Sequence, residues 1–327
     1  MNALRTGLRR LGAGKAVLYT VHRPLGVLRQ SIREGGPLQQ MRTRASQQAM
    51  IRAASLLPQV QPQKGESRQV HFLTGARYWY QTLFCALSVQ AHSPVPIQPI
   101  LYDDGTLSSE QIERMSSVMP STVVILRPEV EERLDRELPV SKFPTLRAQR
   151  LTYPHLRKLT DIHAGRSGWA LVLDSDMLFF REPRFVLDWL NLPTQPCHML
   201  DVEESYGYPF GLMERFAERS VPRMVNVGLC GLKSDKIDWD RLEYWCRSLI
   251  RIGGMQYLLE QALTAMLLSE GDCSAAPRAD YRVRPDLAEG RSPTAVLHHY
   301  VAESKRSYFQ HGWRIVFNRA SVREDVV

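Results

Sequence analysis

The chain has 327 residues, of which 44% are apolar and 23% charged, with a formal net charge of +8. These proportions are those of a folded soluble protein, long enough for one large α/β domain with appendages or for two smaller domains. The excess charge sits at one end: Arg5, Arg9, Arg10, Lys15, Arg23, Arg29, Arg33, Arg42, Arg44, Arg52 and Lys64 face a single acid, Glu34, within residues 1–64. The remainder is close to neutral, which excludes nucleic-acid binding by the main domain.

Residues 1–64 therefore read as a distinct basic extension, with the main domain over 65–327. Leu25, Leu28 and Ile32, then Met50, Ile51, Leu56 and Leu57, suggest short amphipathic helices separated by Gly35-Gly36-Pro37. A helical extension packed on the main domain is one reading. Peripheral contact with an anionic membrane surface is the other. Pro58 to Ser67, rich in Gln and Pro, reads as a linker.

An alternating pattern follows. Gln69–Leu73 predicts a strand ending at Thr74-Gly75, and Tyr80, Phe84, Leu87 and Ala91 lie at helical spacing after it. Pro99–Tyr102 is the next strand, closed by Asp103-Asp104-Gly105. Ser108 with Gln111 forms a capping box opening a helix over 108–117, and Thr122–Leu126 is a third strand. Arg150 to Ala164 reads as one helix leading to Gly168. Trp169–Leu173 is apolar at every position, the pattern of a strand buried on both faces of a parallel sheet. Further strands are expected at His198–Asp201, Met224–Leu232 and Ala295–Tyr300, with an amphipathic helix over Gly254–Ser269. The alternation predicts a mainly parallel sheet with helices on both faces.

Five cysteines, Cys85, Cys197, Cys230, Cys246 and Cys273, are widely spaced and contain no CxxC pair. Neither a disulfide framework nor a zinc knuckle is indicated, and a reducing, cytosolic setting is the expectation. No apolar run approaches the roughly 20 residues that span a bilayer, and the N-terminal arginines are not followed by a continuous apolar stretch.

Asp174-Ser175-Asp176 ends the buried strand. Alternation along an extended chain turns residues 174 and 176 to one side and Ser175 to the other. Paired carboxylates bind a hard divalent cation, Mn²⁺ or Mg²⁺, while leaving positions for phosphate oxygens and water. The carboxyl end of a central strand is also where open α/β sheets take ligands. A second triplet, Asp238-Trp239-Asp240, lacks a buried strand before it and reads as the start of a surface helix.

At this point the chain resembles the GT-A glycosyltransferases, in particular their glycogenin-like clan. The resemblance rests on Leu171-Val172-Leu173-Asp174-Ser175-Asp176 with Met177–Pro183 after it, on Val225-Asn226-Val227-Gly228-Leu229, and on Glu260-Gln261. It also rests on His299-Tyr300-Val301-Ala302-Glu303-Ser304-Lys305, which keeps a His-to-Lys spacing of the clan with Tyr for Phe and Ala for Gly; the Pro-Trp that often follows is absent. The resemblance implies a GT-A fold and a metal-dependent, UDP-favouring, retaining hexosyltransferase acting on a hydroxyl of a glycan, lipid or small molecule. It implies Asp174, Asp176 and His299 as metal ligands, His298 being the alternative, and Lys305 on the diphosphate.

Lys158 is expected near the nucleotide, or else in an i,i+3 pair with Asp161. Thr74, Gly75 and Arg77 lie in the first strand–helix loop, where the nucleoside is expected; Gly75 also suits a plain turn. Asp103 and Asp104 either meet base or ribose or simply close a turn. Ser175 belongs to the same donor-binding group. Asn226 is expected in the sugar pocket with Gln261, and Asp201 beside it. Glu260 is the candidate near the acceptor hydroxyl, or else a solvent-facing acid. The rival functions are a catalytically silent scaffold of this fold that binds a partner, and a haloacid-dehalogenase-type phosphohydrolase with Asp174 as nucleophile.

Overall fold

A computed structural model describes residues 36–61 and 63–322. The reading of Leu25, Leu28 and Ile32 as a helix lies outside them. The second half of the basic extension is one helix, α1 (Pro37–Ala54), started by Gly36 and by Pro37 at a position where no backbone N–H is needed. It buries Met50, Ala53 and Ala54, and Gln47 Nε2 donates to the Tyr80 hydroxyl at 2.7 Å. Thr43 Oγ1 accepts from Gln310 Nε2 at 2.9 Å, so α1 lies against both ends of the domain. None of the described helices is long and apolar enough to cross a membrane.

The main sheet has seven strands: β1 (Arg68–Thr74), β2 (Ile97–Asp103), β3 (Val123–Ile125), β4 (Trp169–Leu173), β6 (Cys197–Leu200), β7 (Val225–Lys233) and β8 (Ser274–Ala275). Their order is β3-β2-β1-β4-β7-β6-β8, and only β7 runs against the rest. A second sheet joins β5 (Met177–Phe179), β10 (Leu297–His299) and β9 (Tyr281–Val283), in the order β5-β10-β9. From β1 the chain steps outward to β2 and β3, then returns to place β4 on the other side. This is a topological switch point, and the crevice beyond the ends of β1 and β4 is where such sheets receive ligands.

The all-apolar pattern of β4 has the expected cause. Leu171 and Leu173 enter one core with Phe72, Phe84 and Trp313; Val172 enters the other with Leu159, Val227 and Leu263. Removing each such side chain from water is worth about 1.5–3 kcal/mol, and having a core on both faces leaves no position for a polar residue.

Two expected helices differ. Arg150–Ala164 is not continuous: α2 (Pro144–Thr152) stops at Tyr153, Pro154–Leu156 is a 3-10 turn, and α3 (Arg157–His163) follows. Pro154 disfavours helical geometry at the residue before it. Gly254–Ser269 is helical only from Leu259 to Leu268 (α5), and all ten residues are buried, so the segment is a core helix rather than an amphipathic one. The long two-faced helix is α4 (Trp239–Gly253), for which Asp238 accepts from Arg241 N as the N-cap. The second Asp-x-Asp triplet therefore opens a helix.

Candidate active site

The Asp174–Asp176 turn is held between both sheets. Asp174 N donates to Gly228 O at 2.7 Å, and Tyr300 N donates to Asp176 O at 2.9 Å. Residues 174 and 176 do face one way. His299 Nε2 lies 3.3 Å from Asp176 Oδ1 and 3.7 Å from Asp174 Oδ2. Ser175 turns away, its hydroxyl 2.7 Å from Thr82 Oγ1, which is 2.8 Å from Thr74 Oγ1.

The state of His299 can be worked out from its neighbours. Asn226 Nδ2 donates to Asp201 Oδ2 at 3.0 Å, and Gly228 N donates to Asn226 Oδ1 at 3.0 Å. Both bonds fix the amide with Oδ1 as acceptor. His299 Nδ1, 2.9 Å from that oxygen, must then carry the proton. In the neutral ring Nε2 is left with a bare lone pair, buried and without a hydrogen-bond partner. An orphaned imidazole nitrogen aimed at two carboxylates is the arrangement a divalent cation fits, and the three ligand atoms lie within 4.8 Å of one another. His298 points the other way: its Nε2 meets Glu289 Oε1 at 2.8 Å and its Nδ1 the Tyr300 hydroxyl at 2.9 Å. Both of its nitrogens are occupied in the core.

The Asn-x-Gly pattern of β7 has two physical causes here. Asn226 orients the imidazole, and Gly228 leaves room for it, since a Cβ at 228 would stand 2.3 Å from His299 Cε1. The β6–β7 ladder breaks between His198 and Met199, freeing this stretch of β7 to meet the histidine. Gly228→Ala is expected to fold but to displace His299, weakening Mn²⁺ binding by roughly 10–100-fold. Isothermal titration with Mn²⁺ measures this; unchanged affinity would remove Gly228 from the site.

Two lysines neutralise the carboxylates. Lys305 Nζ is ion-paired to Asp176 Oδ2. Burial opposes ionisation of Asp176, but the Lys305 ammonium overcomes it and holds its carboxyl well below the usual range. Lys158 Nζ reaches Asp174 Oδ1 at 3.0 Å and Glu260 Oε2 at 3.3 Å. Burial disfavours its charge, yet the two carboxylates push its pKa well above that of an ordinary lysine. The i,i+3 alternative is overturned: Asp161 is taken by Arg150, whose Nε and Nη2 bond its two oxygens at 2.5 and 2.9 Å. Glu260 is not solvent-facing either. It lies buried behind Lys158, where desolvation pushes its pKa up to about 7 despite the lysine.

The other expected residues divide. Gln261 is buried and donates to Ser205 O at 2.8 Å. Asp103 Oδ1 accepts from the backbone N–H groups of Gly105, Thr106 and Leu107, so it closes the turn after β2. Asp104 Oδ1 accepts from Thr106, and a Cβ on Gly75 would stand 2.2 Å from that same oxygen. Gly75 thus lets the turns after β1 and β2 close on each other. Arg77 is exposed, its guanidinium 5.4 Å from the Tyr78 ring centroid. Sequence reasoning missed the aromatic wall of Tyr153, His155 and Tyr257, whose ring centroids lie 5.2 and 5.3 Å apart, the first pair tilted and the second edge-on. Only the clustering of Tyr153 and His155 just before Lys158 signalled it.

No family model and no curated protein sequence matches the chain. Among solved structures, that of galactosyltransferase LgtC in complex with donor and acceptor sugar analogues is similar over 78% of this chain and 95% of that one, with a TM-score of 0.53 at 17% identity. Mouse xyloside xylosyltransferase 1 is similar over 72% of this chain and 98% of that one, with a TM-score of 0.48 at 11% identity. The likeness to LgtC shows the fold, a mainly parallel GT-A sheet with helices on both faces.

Proposed function

We propose that the chain is a metal-dependent glycosyltransferase of the glycogenin-like kind, moving a sugar from a nucleoside-diphosphate donor, UDP favoured, to a hydroxyl acceptor with retention. The observation that carries this reading is the bare, buried Nε2 of His299 facing Asp174 and Asp176 at the switch point of the sheet. In this reading Asp174, Asp176 and His299 hold Mn²⁺ or Mg²⁺, with Asn226 fixing the tautomer. The ion supplies Lewis-acid stabilisation of the departing nucleoside diphosphate.

Lys305 stands at the outer oxygen of Asp176, where an ammonium point charge serves phosphate oxygens. Lys158 neutralises Asp174 from below, and Glu260 positions Lys158. Thr74, Gly75 and Ser175 form the floor towards the nucleoside, with Arg77 at its rim. Tyr153, His155 and Tyr257 exclude water from one side of the sugar, and Asn226 with Gln261 bounds the other.

Thermal unfolding with a panel of nucleoside diphosphates and nucleotide sugars, in Mn²⁺, in Mg²⁺ and in chelator, tests the proposal. A ligand at a hundred times its Kd stabilises the native state by about 2.7 kcal/mol. A shift with one nucleotide that vanishes on chelation is the expected result and names the donor base. No shift with any of them would favour a silent scaffold.

A further inference from the structure

Beside the metal-ligand cluster lies a second cavity, of about 260 Å³, whose lining includes Arg278, Arg282 and Arg284 with Leu200, Val202 and Asp286. Arg282 lies in β9 and Arg284 just past its end, and both line the cavity together with Arg278 from the turn before the strand. Arg284 has φ +55°, a left-handed conformation that costs a residue with a Cβ and that persists where the surroundings impose it. Here Arg284 N donates to His299 O at 3.0 Å, which ties the strained residue to the ligand strand.

The two sites share a wall. Arg278 Nη2 donates to Asp201 O at 2.5 Å, Asp201 Oδ2 accepts from Asn226, and Asn226 Oδ1 accepts from His299. A group bound at the arginines is therefore one short hydrogen-bond chain from the reacting centre.

The arginines differ in how fully they are engaged. Arg282 meets Glu289 at 3.0 Å, and Arg284 bridges Glu203 at 2.9 Å and Glu303 at 2.6 Å, both exposed carboxylates that a bound anion could replace. Arg278 makes no ion pair among the described residues; its one hydrogen bond there goes to a backbone carbonyl. Most of the five donors of a guanidinium, in a planar fork matched to carboxylate or phosphate, are then open to the cavity. Asp286, the acid in the lining, has Oδ1 committed to Glu289 N at 2.8 Å.

We propose that this cavity binds an anionic group of the acceptor, a carboxylate or a phosphate, and so selects acidic sugars or sugar phosphates over neutral ones. The inference rests on the glycosyltransferase reading for the word acceptor. Its test does not depend on turnover, so the two can fail separately.

Methyl glucuronide, glucose 6-phosphate and methyl glucoside are titrated calorimetrically into the full chain, in chelator and without nucleotide. The two charged compounds should bind and the neutral one should not; the tighter of the two names the anion. Arg278→Gln, with an unchanged melting temperature, should weaken the charged compound by about ten- to a hundred-fold, as expected for a hydrogen bond to a charged group. Arg184→Gln, an exposed arginine paired with Glu182, is the control and should change nothing. Equal binding of charged and neutral compounds, binding of neither charged compound, or undiminished binding in Arg278→Gln would overturn the proposal. Should nucleotide fail to bind while the anion does, the cavity stands and the glycosyltransferase reading falls.

Discussion

Asp176→Asn is expected to abolish the chelator-sensitive stabilisation by nucleotide and to lower sugar transfer by at least roughly a hundred-fold, the scale of losing one preorganised electrostatic partner. Asp176 is the carboxylate nearest His299 Nε2, at 3.3 Å, and also the partner of Lys305. Asparagine keeps its shape and its backbone bond to Tyr300, so the β5–β10 pairing should hold. What it loses is the negative charge that a divalent cation needs. Lys305 is left without its partner but is about a third exposed, so water can receive it and the stability cost is small. Thermal scans of the variant with and without Mn²⁺ decide the matter; an undiminished Mn²⁺-dependent shift would sink the assignment of Asp176.

Lys158→Met should cause the largest loss of stability of any change near the site, about 3–5 kcal/mol. It leaves Glu260 buried without its cation and removes the partner of Asp174, and breaking a buried pair from one side costs more than replacing both. Adding Glu260→Gln to that variant should recover part of the loss. The sign of the pH dependence follows from Glu260, whose pKa rises from 4.5 to about 7 on folding. Between those values the folded chain keeps a proton that the unfolded chain has released, so this residue makes stability fall as pH rises through the window. The raised pKa of Lys158 works in its favour through neutral pH, and that contribution is lost only in strong alkali. Urea denaturation in chelator at several pH values, for the parent and for Glu260→Gln, is the measurement. A slope that is the same in both would show that Glu260 does not titrate in this range.

The legible parts of the chain were those where one physical cause dominates. β4 is legible to the residue because burial on both faces forbids any polar position in it. The Asp174–Asp176 turn was legible because it follows that strand directly. The helix ends were not: the pattern from Arg150 to Ala164 keeps its helical composition through Pro154, and only the proline's steric effect on Tyr153 divides it. The partners of Lys158 were hidden for a related reason. Once the chain bends at Tyr153, Arg150 folds back onto Asp161 and leaves Lys158 for Asp174 and Glu260, which no local spacing reveals. β5 and β9, three residues each, are too short to show alternation. Arg278, Arg282 and Arg284 stand in plain sight, but their convergence depends on the β9–β10 pairing.

Two histidines in succession on β10 pose a question of error correction. A slip of one residue against β5 would bring one histidine into the other's place, presenting a chemically identical ring to the carboxylates or to the core, so ligand identity alone cannot reject the wrong pairing. Rejection comes from the receptors on either side. Glu289 and the Tyr300 hydroxyl accept only the histidine that faces the core, while Asn226 and the bare backbone of Gly228 accept only the one that faces the crevice. A slip in one direction would leave the buried Glu289 facing Leu297, and a slip in the other would set Tyr300 against Asn226 and Gly228, so either misregistered chain fails at one of the two.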